Sequence, residues 1–160
     1  MGKEIERKFL VTGEAWRKGE VSDYRQGYLS IDKQRTVRVR VAGDVARLTV
    51  KGITEGATRA EYEYPIPVAD AKSMLETLCL RPLIEKRRYR IRHGGMTWEI
   101  DEFFGDNAGL IVAEIELEDE QRPLDKPAWV GEEVTSDPRF YNANLVTSPY
   151  TAWKKPPACR

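Results

Sequence analysis

Thr36-Val37-Arg38-Val39-Arg40-Val41 alternates without a break: valine at 37, 39 and 41, arginine at 38 and 40. Successive side chains of a β-strand point to opposite faces, so the valines share one face and the arginines the other. β-Branched residues favour that conformation. Ala42-Gly43-Asp44 then turns the chain into Ala46-Arg47-Leu48-Thr49-Val50-Lys51, where Leu48 and Val50 oppose Arg47, Thr49 and Lys51. The rest of the sequence repeats this arrangement in both directions from the hairpin.

Toward the N-terminus, Tyr24 to Ile31 reads as a strand in which Gly27 marks a bulge or a close approach. Tyr28 shares its face with Gln26 and Ser30, and either packs or reaches the charged side. Lys3 to Val11 reads as the first strand, with Glu4, Glu6 and Lys8 on one face and Ile5 and Arg7 on the other. Between these two, Glu14 to Val21 is mixed, with room for one helical turn around Trp16. Toward the C-terminus, Gly52 to Gly56 reads as a mobile loop. Arg59 to Pro67 then sets Glu61 and Glu63 against Tyr62 and Tyr64, its prolines marking an edge.

Ala69 to Leu80 is the one clear helix, with Ala71, Met74, Leu75 and Leu78 at helical spacing. His93-Gly94-Gly95 joins two further strands. Lys86, Arg88, Arg90 and Arg92 share a face of the first, and Glu99 and Asp101 share a face of the second. Phe103 to Gly109 reads as a loop. Leu110 to Glu118 opposes Glu114, Glu116 and Glu118 to Ala113, Ile115 and Leu117. Trp129 to Val134 and Asp137 to Leu145 read as short helical pieces, with Trp98 and Trp129 as packing residues.

Eight strands are expected, beginning near residues 3, 23, 35, 45, 58, 83, 96 and 110. The fold class is α+β dominated by β: eight mostly antiparallel strands closed into a barrel, with a few flanking helices. One domain spans 1–150, and 151–160 reads as a frayed tail around Lys154-Lys155-Pro156-Pro157.

Lysine plus arginine and aspartate plus glutamate each number 26, a balance that argues against a general nucleic-acid or membrane binder. Charged residues make up 32%, above the ordinary share of roughly 25%, so the way charge is sorted carries the information. Cys79 and Cys159 have no metal or disulfide spacing and read as reduced thiols. The N-terminus is too charged for a signal peptide, which gives a cytoplasmic expectation. His93, in a glycine-rich turn, reads as an exposed residue with no ligand role.

Any one charged strand face is ordinarily a solvated surface. Here the faces are sorted by sign. Glu4/Glu6, Glu61/Glu63 and Glu114/Glu116 are paired acids, and Arg38/Arg40 and Lys86/Arg88/Arg90 are rows of bases. Turned inward together they would line a wet, ion-filled tunnel. Clustered carboxylates repel one another unless hard cations such as Mg²⁺ or Mn²⁺ neutralise them. Arginine forks match phosphate oxygens, and lysine adds point charge. Metal-holding acids facing anion-holding bases make a constellation for phosphoryl transfer or hydrolysis.

With these residues in view, the sequence resembles the CYTH superfamily, the triphosphate tunnel metalloenzymes, and specifically its short bacterial branch. The resemblance rests on Glu4-Ile5-Glu6-Arg7-Lys8, the Arg-x-Arg at 38 and 40, Lys51 and the Glu-x-Glu at 61 and 63. The basic row from Lys86 and the Glu-x-Glu at 114 and 116 complete it, in that order. It implies a tunnel that hydrolyses a triphosphate with Mg²⁺ or Mn²⁺. Glu4, Glu6, Glu114 and Glu116 would be metal ligands, while Glu61, Glu63 and Asp101 would hold a second metal or orient water. Lys8, Arg38, Arg40, Lys51, Lys86 and Arg88 would grip the phosphates, with Arg90 nearer the mouth; Tyr28, read from its own strand face, either packs or reaches the phosphate. A homodimer is implied by the same resemblance.

The expected activity is hydrolysis of inorganic tripolyphosphate. Nucleoside triphosphatase, thiamine triphosphatase, adenylate cyclase and a non-catalytic polyphosphate-binding module are the alternatives. A lipocalin-like carrier would need every strand inverted, with Val37, Val39 and Val41 inside.

Overall fold

Alternation does produce strands, and every pairing between them is antiparallel. The computed structural model describes residues 2–153; Lys154 to Pro157 and Cys159 lie outside the described residues. The strands are β1 (Glu4–Val11), β2 (Glu20–Asp32), β3 (Arg35–Ala42), β4 (Val45–Lys51), β5 (Thr58–Arg59), β6 (Glu61–Ile66), β7 (Ile84–His93), β8 (Met96–Phe103), β9 (Ile111–Glu116) and β10 (Val130–Glu133). Helix α1 spans Val68–Thr77 and α2 Asn144–Thr147, with 3-10 turns at Gly105–Asn107, Pro138–Phe140 and Tyr150–Ala152.

The strands form a single sheet, β10-β1-β9-β8-β7-β2-β3-β4-β6, that curls until its ends nearly meet. Closure falls on β1. The first half of its free edge takes β5 through Glu4↔Arg59 and Ile5↔Thr58, and Glu6 N–H donates to the Ala57 carbonyl at 2.9 Å. Its second half takes β10 through Phe9↔Glu133 and Val11↔Val130. Glu61 N–H, from β6, donates to Gly2 O at 3.3 Å. Among the described residues the barrel therefore has ten strands in place of the expected eight. One expected strand is split at Ala60 into β5 and β6. The other addition, β10, replaces the expected helical piece at 129–134: an open β1 edge offers ladder hydrogen bonds that outweigh a weak local preference.

Other local expectations change as well. Residues 14–19 make no helix; Lys18 N–H donates to Trp16 O at 2.8 Å in a tight turn. That turn sinks the Trp16 ring fully against Tyr89, edge-on at 5.2 Å. Strand β2 begins at Glu20 because the long β7 supplies partners for it, Glu20↔Arg90 through Ser22↔Arg88. Register then slips between Tyr28 and Ser30. Tyr28 stays opposite Arg38 while Ser30 pairs with Val37, so the bulge moves Ser30 to the other face from Tyr28. The segment 105–107, expected as loop, closes a single 3-10 turn.

Apolar faces turn outward, as the alternation requires, but helices cover only part of them. Helix α1 lays Ala71 and Leu75 on Val39, Val41 and Ala46, and ends before Leu78, which is exposed. The outer faces of β1, β7, β8 and β9 are covered instead by irregular chain carrying Trp16, Leu124 and Trp129, around Phe9, Trp98, Ile100 and Ile115. Trp98 meets Trp129 edge-on at 5.8 Å. Over β6 the covering is absent among the described residues, and Tyr62 and Tyr64 are 49% and 56% exposed.

The charged inner rows end in apolar residues on one arc of the barrel. Leu10, Ile84, Phe103 and Val112 follow Lys8, Lys86, Asp101 and Glu114 on the same faces. They pack against Val134, Phe140, Leu145 and Val146, so the C-terminal segment seals that arc. Gly27 sets how closely the chain between α1 and β7 approaches β2, since a β-carbon there would stand 2.8 Å from both Cys79 Cβ and Leu83 Cδ2. Gly27→Ala is expected to destabilise the protein by about 1–3 kcal/mol through overpacking. Urea unfolding checks this, and an unchanged midpoint would show that the contact yields.

Candidate active site

Inside the barrel lies a cavity of about 480 Å³, within the range of small-ligand sites. Glu4, Glu6, Lys8, Tyr28, Arg38, Arg40, Lys51, Glu61, Glu63, Lys86, Arg88, Glu114 and Glu116 all line it. Two expected site residues do not. Asp101 is wholly buried behind the wall. Arg90 sits beside the opening of β2, where its guanidinium donates to Ser22 Oγ at 3.1 Å and to the Tyr24 hydroxyl.

Strand register explains the sorting. Lys8 lies opposite Glu114, Arg88 opposite Asp101, Arg38 opposite Thr49 and Lys51 opposite Glu61. Lys8, Arg88 and Lys51 each meet an acid on a neighbouring strand, the favourable cross-strand arrangement, while Arg38 meets a threonine whose next neighbour is Glu63. Arg88 Nε and Nη2 donate to the two Asp101 oxygens at 2.7 and 2.9 Å, while Nη1 reaches Glu99 at 3.1 Å and Nη2 reaches Glu114 at 3.4 Å. Lys8 Nζ holds Glu114 at 2.5 Å and Glu6 at 3.1 Å. Lys51 Nζ donates to both Glu4 oxygens, at 2.9 and 3.1 Å, and lies 3.7 Å from Glu61. Arg38 Nη2 lies 3.5 Å from Glu63, and Thr49 hydroxyl bridges the two.

Burial disfavours the Asp101 carboxylate, yet Arg88 and Lys86 overcome this and hold its pKa down to about 2. Lys86 fares differently. Burial, together with repulsion from Arg88 and Arg40, pulls its pKa down to about 7 against the attraction of Asp101, whose two oxygens are both also taken by Arg88. Arg40 is lowered to about 9 by burial and by Arg38 and Arg88. Lys8 is raised well above its ordinary value: burial opposes its charge, but Glu114 and Glu6 more than offset that. Glu114 is lowered, its burial and the nearby Glu6 outweighed by Lys8 and Arg88. Glu116 moves up through partial burial and the repulsion of Glu4, Glu61, Glu6 and Glu99. No lysine or arginine among the described residues lies within ion-pair distance of it.

Two features bear on ligands. Arg38 Nε is buried with no hydrogen-bond partner among the described residues, a donor left unpaired beside the cavity. Buried donors are ordinarily satisfied, so an anion on this wall would complete it. On the acidic side, no three Asp, Glu, His or Cys side chains among the described residues stand gathered as a ready cation cage. The carboxylates of Glu4, Glu6 and Glu114 are occupied by Lys51 and Lys8 instead. Their chemistry nonetheless fits a hard divalent cation: all are carboxylate oxygens, and Glu116 carries negative charge that no base offsets.

Sequence reasoning missed Arg59, Lys33 and Asn142, which also line the cavity. Arg59 Nε donates to Gly52 O at 3.1 Å and Nη2 to Thr36 Oγ1 at 3.3 Å. Its two-residue strand is too short to show alternation. Asn142 lies on irregular chain where no periodicity exists to read.

A family profile described as the CYTH domain matches residues 2–145. The chain belongs to the CYTH family. An inorganic triphosphatase of Acetivibrio thermocellus is 54% identical over 158 residues, covering 97% of this chain and 100% of that protein. An inorganic triphosphatase of Nitrosomonas europaea is 36% identical over 151 residues, covering 91% and 97%. A solved structure, that of the inorganic triphosphatase NE1496, is 34% identical with a TM-score of 0.63, covering 89% of this CYTH chain and 96% of that one.

Asp101→Asn would leave Arg88 and Lys86 buried without their shared carboxylate, and is expected to cost about 3–5 kcal/mol. The acid response follows from the same pair. Because folding lowers the Asp101 pKa from 3.8 to about 2, its contribution is full above about pH 4 and fades as pH falls through about 2. Denaturant titrations between pH 2 and 6 read both effects. A variant as stable as the parent, with the same acid limb, would contradict the placement.

Proposed function

We propose that this CYTH protein is a divalent-metal-dependent inorganic triphosphatase that hydrolyses tripolyphosphate in its barrel cavity, with Mg²⁺ or Mn²⁺ as the metal. The observation that carries the reading is the unpaired Arg38 Nε on a cationic wall that faces an acidic one. The names of the two relatives, similar over nearly their whole length, support the same activity.

Arg38, Arg40, Lys51, Lys86 and Arg88 grip the phosphate chain, where fixed donors can stabilise the charge that shifts onto phosphate oxygens during cleavage. Lys8 spans both sides, between the carboxylates of Glu6 and Glu114 and the phosphate. Glu4, Glu6, Glu114 and Glu116 would hold the metal, with Glu61 and Glu63 holding a second or orienting water. The metal supplies Lewis acidity toward phosphate oxygens and water. Asp101 acts from behind the wall by aiming Arg88 and Lys86, and Arg90 steers anions at the opening. Tyr28 packs among Leu10, Ile84 and Phe103 and presents its edge to the cavity. Tyr62 and Tyr64 point outward and provide no stacking surface for a nucleobase.

No helix among the described residues is long and apolar enough to cross a membrane. A cytoplasmic setting, in which the buried Cys79 thiol stays reduced, and a homodimer complete the reading.

Phosphate release from tripolyphosphate, ATP and thiamine triphosphate, across Mg²⁺, Mn²⁺ and Ca²⁺, tests the assignment. Tripolyphosphate should be the preferred substrate, and turnover should vanish with chelator. Negligible tripolyphosphate hydrolysis beside robust ATP cleavage would overturn it. Glu4→Gln with Glu6→Gln should lower turnover at least about a hundredfold, the loss of several kcal/mol of charge stabilisation, while phosphate binding survives in part. Retained activity would remove these two residues from the metal site.

A further inference from the structure

Asn142 reaches the cavity from the C-terminal segment, outside the alternating strands that carry most of the charged groups of the wall. Its Oδ1 accepts from Lys86 Nζ at 2.8 Å and from Gln26 Nε2 at 3.1 Å. Gln26, itself fully buried, presents its Oε1 to Arg40 Nε at 2.9 Å. The orientation of both amides is fixed by what surrounds them. An ammonium only donates, so Asn142 must offer Lys86 its oxygen. Gln26 must then offer that oxygen its NH₂, which leaves the Gln26 oxygen for a guanidinium that also only donates.

The consequence falls on the other end of Asn142. Its Nδ2 group has no acceptor among the described residues, and the side chain is only half-buried on a cavity wall that also carries Lys86, Arg40 and Arg38. A neutral donor with two protons thus stands in a nest of cations, its rotation blocked by two bonds to its carbonyl. Oxygen acceptors, in particular the oxygens of an anion, are what this group lacks.

We propose that Asn142 is a substrate-binding residue whose NH₂ donates to an oxygen of the condensed phosphate, while Lys86 and Gln26 lock its carbonyl. The inference rests on the triphosphatase reading of the cavity. It adds a ligand-contacting group from outside the strand framework, and it makes docking of the 134–146 segment and phosphate binding mutually reinforcing.

Two substitutions separate this role from simple anchoring. Asn142→Asp keeps an oxygen for Lys86 and Gln26 but replaces the free donor with a second carboxylate oxygen. Asn142→Ala removes both functions. Titration calorimetry at pH 6, where Lys86 is an ammonium, with the imido-bridged analogue of tripolyphosphate reads affinity without turnover, and thermal melting confirms that each variant is folded. Asn142→Ala should weaken binding roughly tenfold or more, the loss of a hydrogen bond to a charged group. Asn142→Asp should be weaker again by a further factor of about ten, from like-charge repulsion. If Asn142→Asp binds as tightly as the parent, or more tightly than Asn142→Ala, Asn142 only anchors Lys86 and the proposal falls. It falls also if the parent does not bind the analogue. A parent that binds the analogue but never hydrolyses tripolyphosphate would refute the enzymatic reading, while the order of the two variants still decides the role of Asn142.

Discussion

Asp101 has no access to solvent, and both of its oxygens are taken by Arg88 and Lys86. The charge order of the lumen runs outward from this pair. Arg88 also contacts Glu114, Glu114 holds Lys8, and Lys8 holds Glu6. Across the cavity Lys51 holds Glu4, and Arg38 faces Glu63. A lumen dense in charge is tolerable only because nearly every charge has a counterpart within reach. The pattern breaks at the unpaired Arg38 Nε, at Arg40, whose partner is the neutral Gln26, and at the repelled Glu116 carboxylate. They lie on the basic and acidic sides, where the proposed function needs an anion and a cation.

The same pairing clarifies how a ligand would enter. Lys8 and Lys51 occupy carboxylates that the metal reading requires as donors. A phosphate chain drawing those ammonium groups to itself would release Glu4, Glu6 and Glu114 toward a cation. Anion and cation would then each favour the other's binding, since the two exchange partners across one set of ion pairs. The outer shell plays no part in this exchange; packed tryptophan, phenylalanine and isoleucine side chains hold the strands in register around it.

Much of this was legible in the sequence because a strand's period of two sorts residues with no knowledge of partners. Arg38/Arg40, Glu61/Glu63, Lys86/Arg88 and Glu114/Glu116 all face the cavity that alternation assigned them. Alternation cannot show depth along the strand. Asp101 and Arg90 have the correct parity but stand outside the lining, one buried behind it and one beside the start of β2. Nor can parity survive a bulge, which is why Ser30 parted from Tyr28. Strands β5 and β10 are created by the unpaired edge of β1, a tertiary demand with no local signature. Arg59 lies on β5, and Asn142 on irregular chain that has no period to read.

On the proposed function, one cavity holds a cation on its acidic wall and a triphosphate on its basic wall. Anomalous diffraction from crystals grown with Mn²⁺ and the imido-bridged triphosphate analogue tests it most directly. A manganese peak bonded to carboxylates among Glu4, Glu6, Glu114 and Glu116 is expected, with phosphate oxygens against Arg38, Lys86 and Arg88. Manganese bound elsewhere, or phosphates lying outside the barrel, would contradict it.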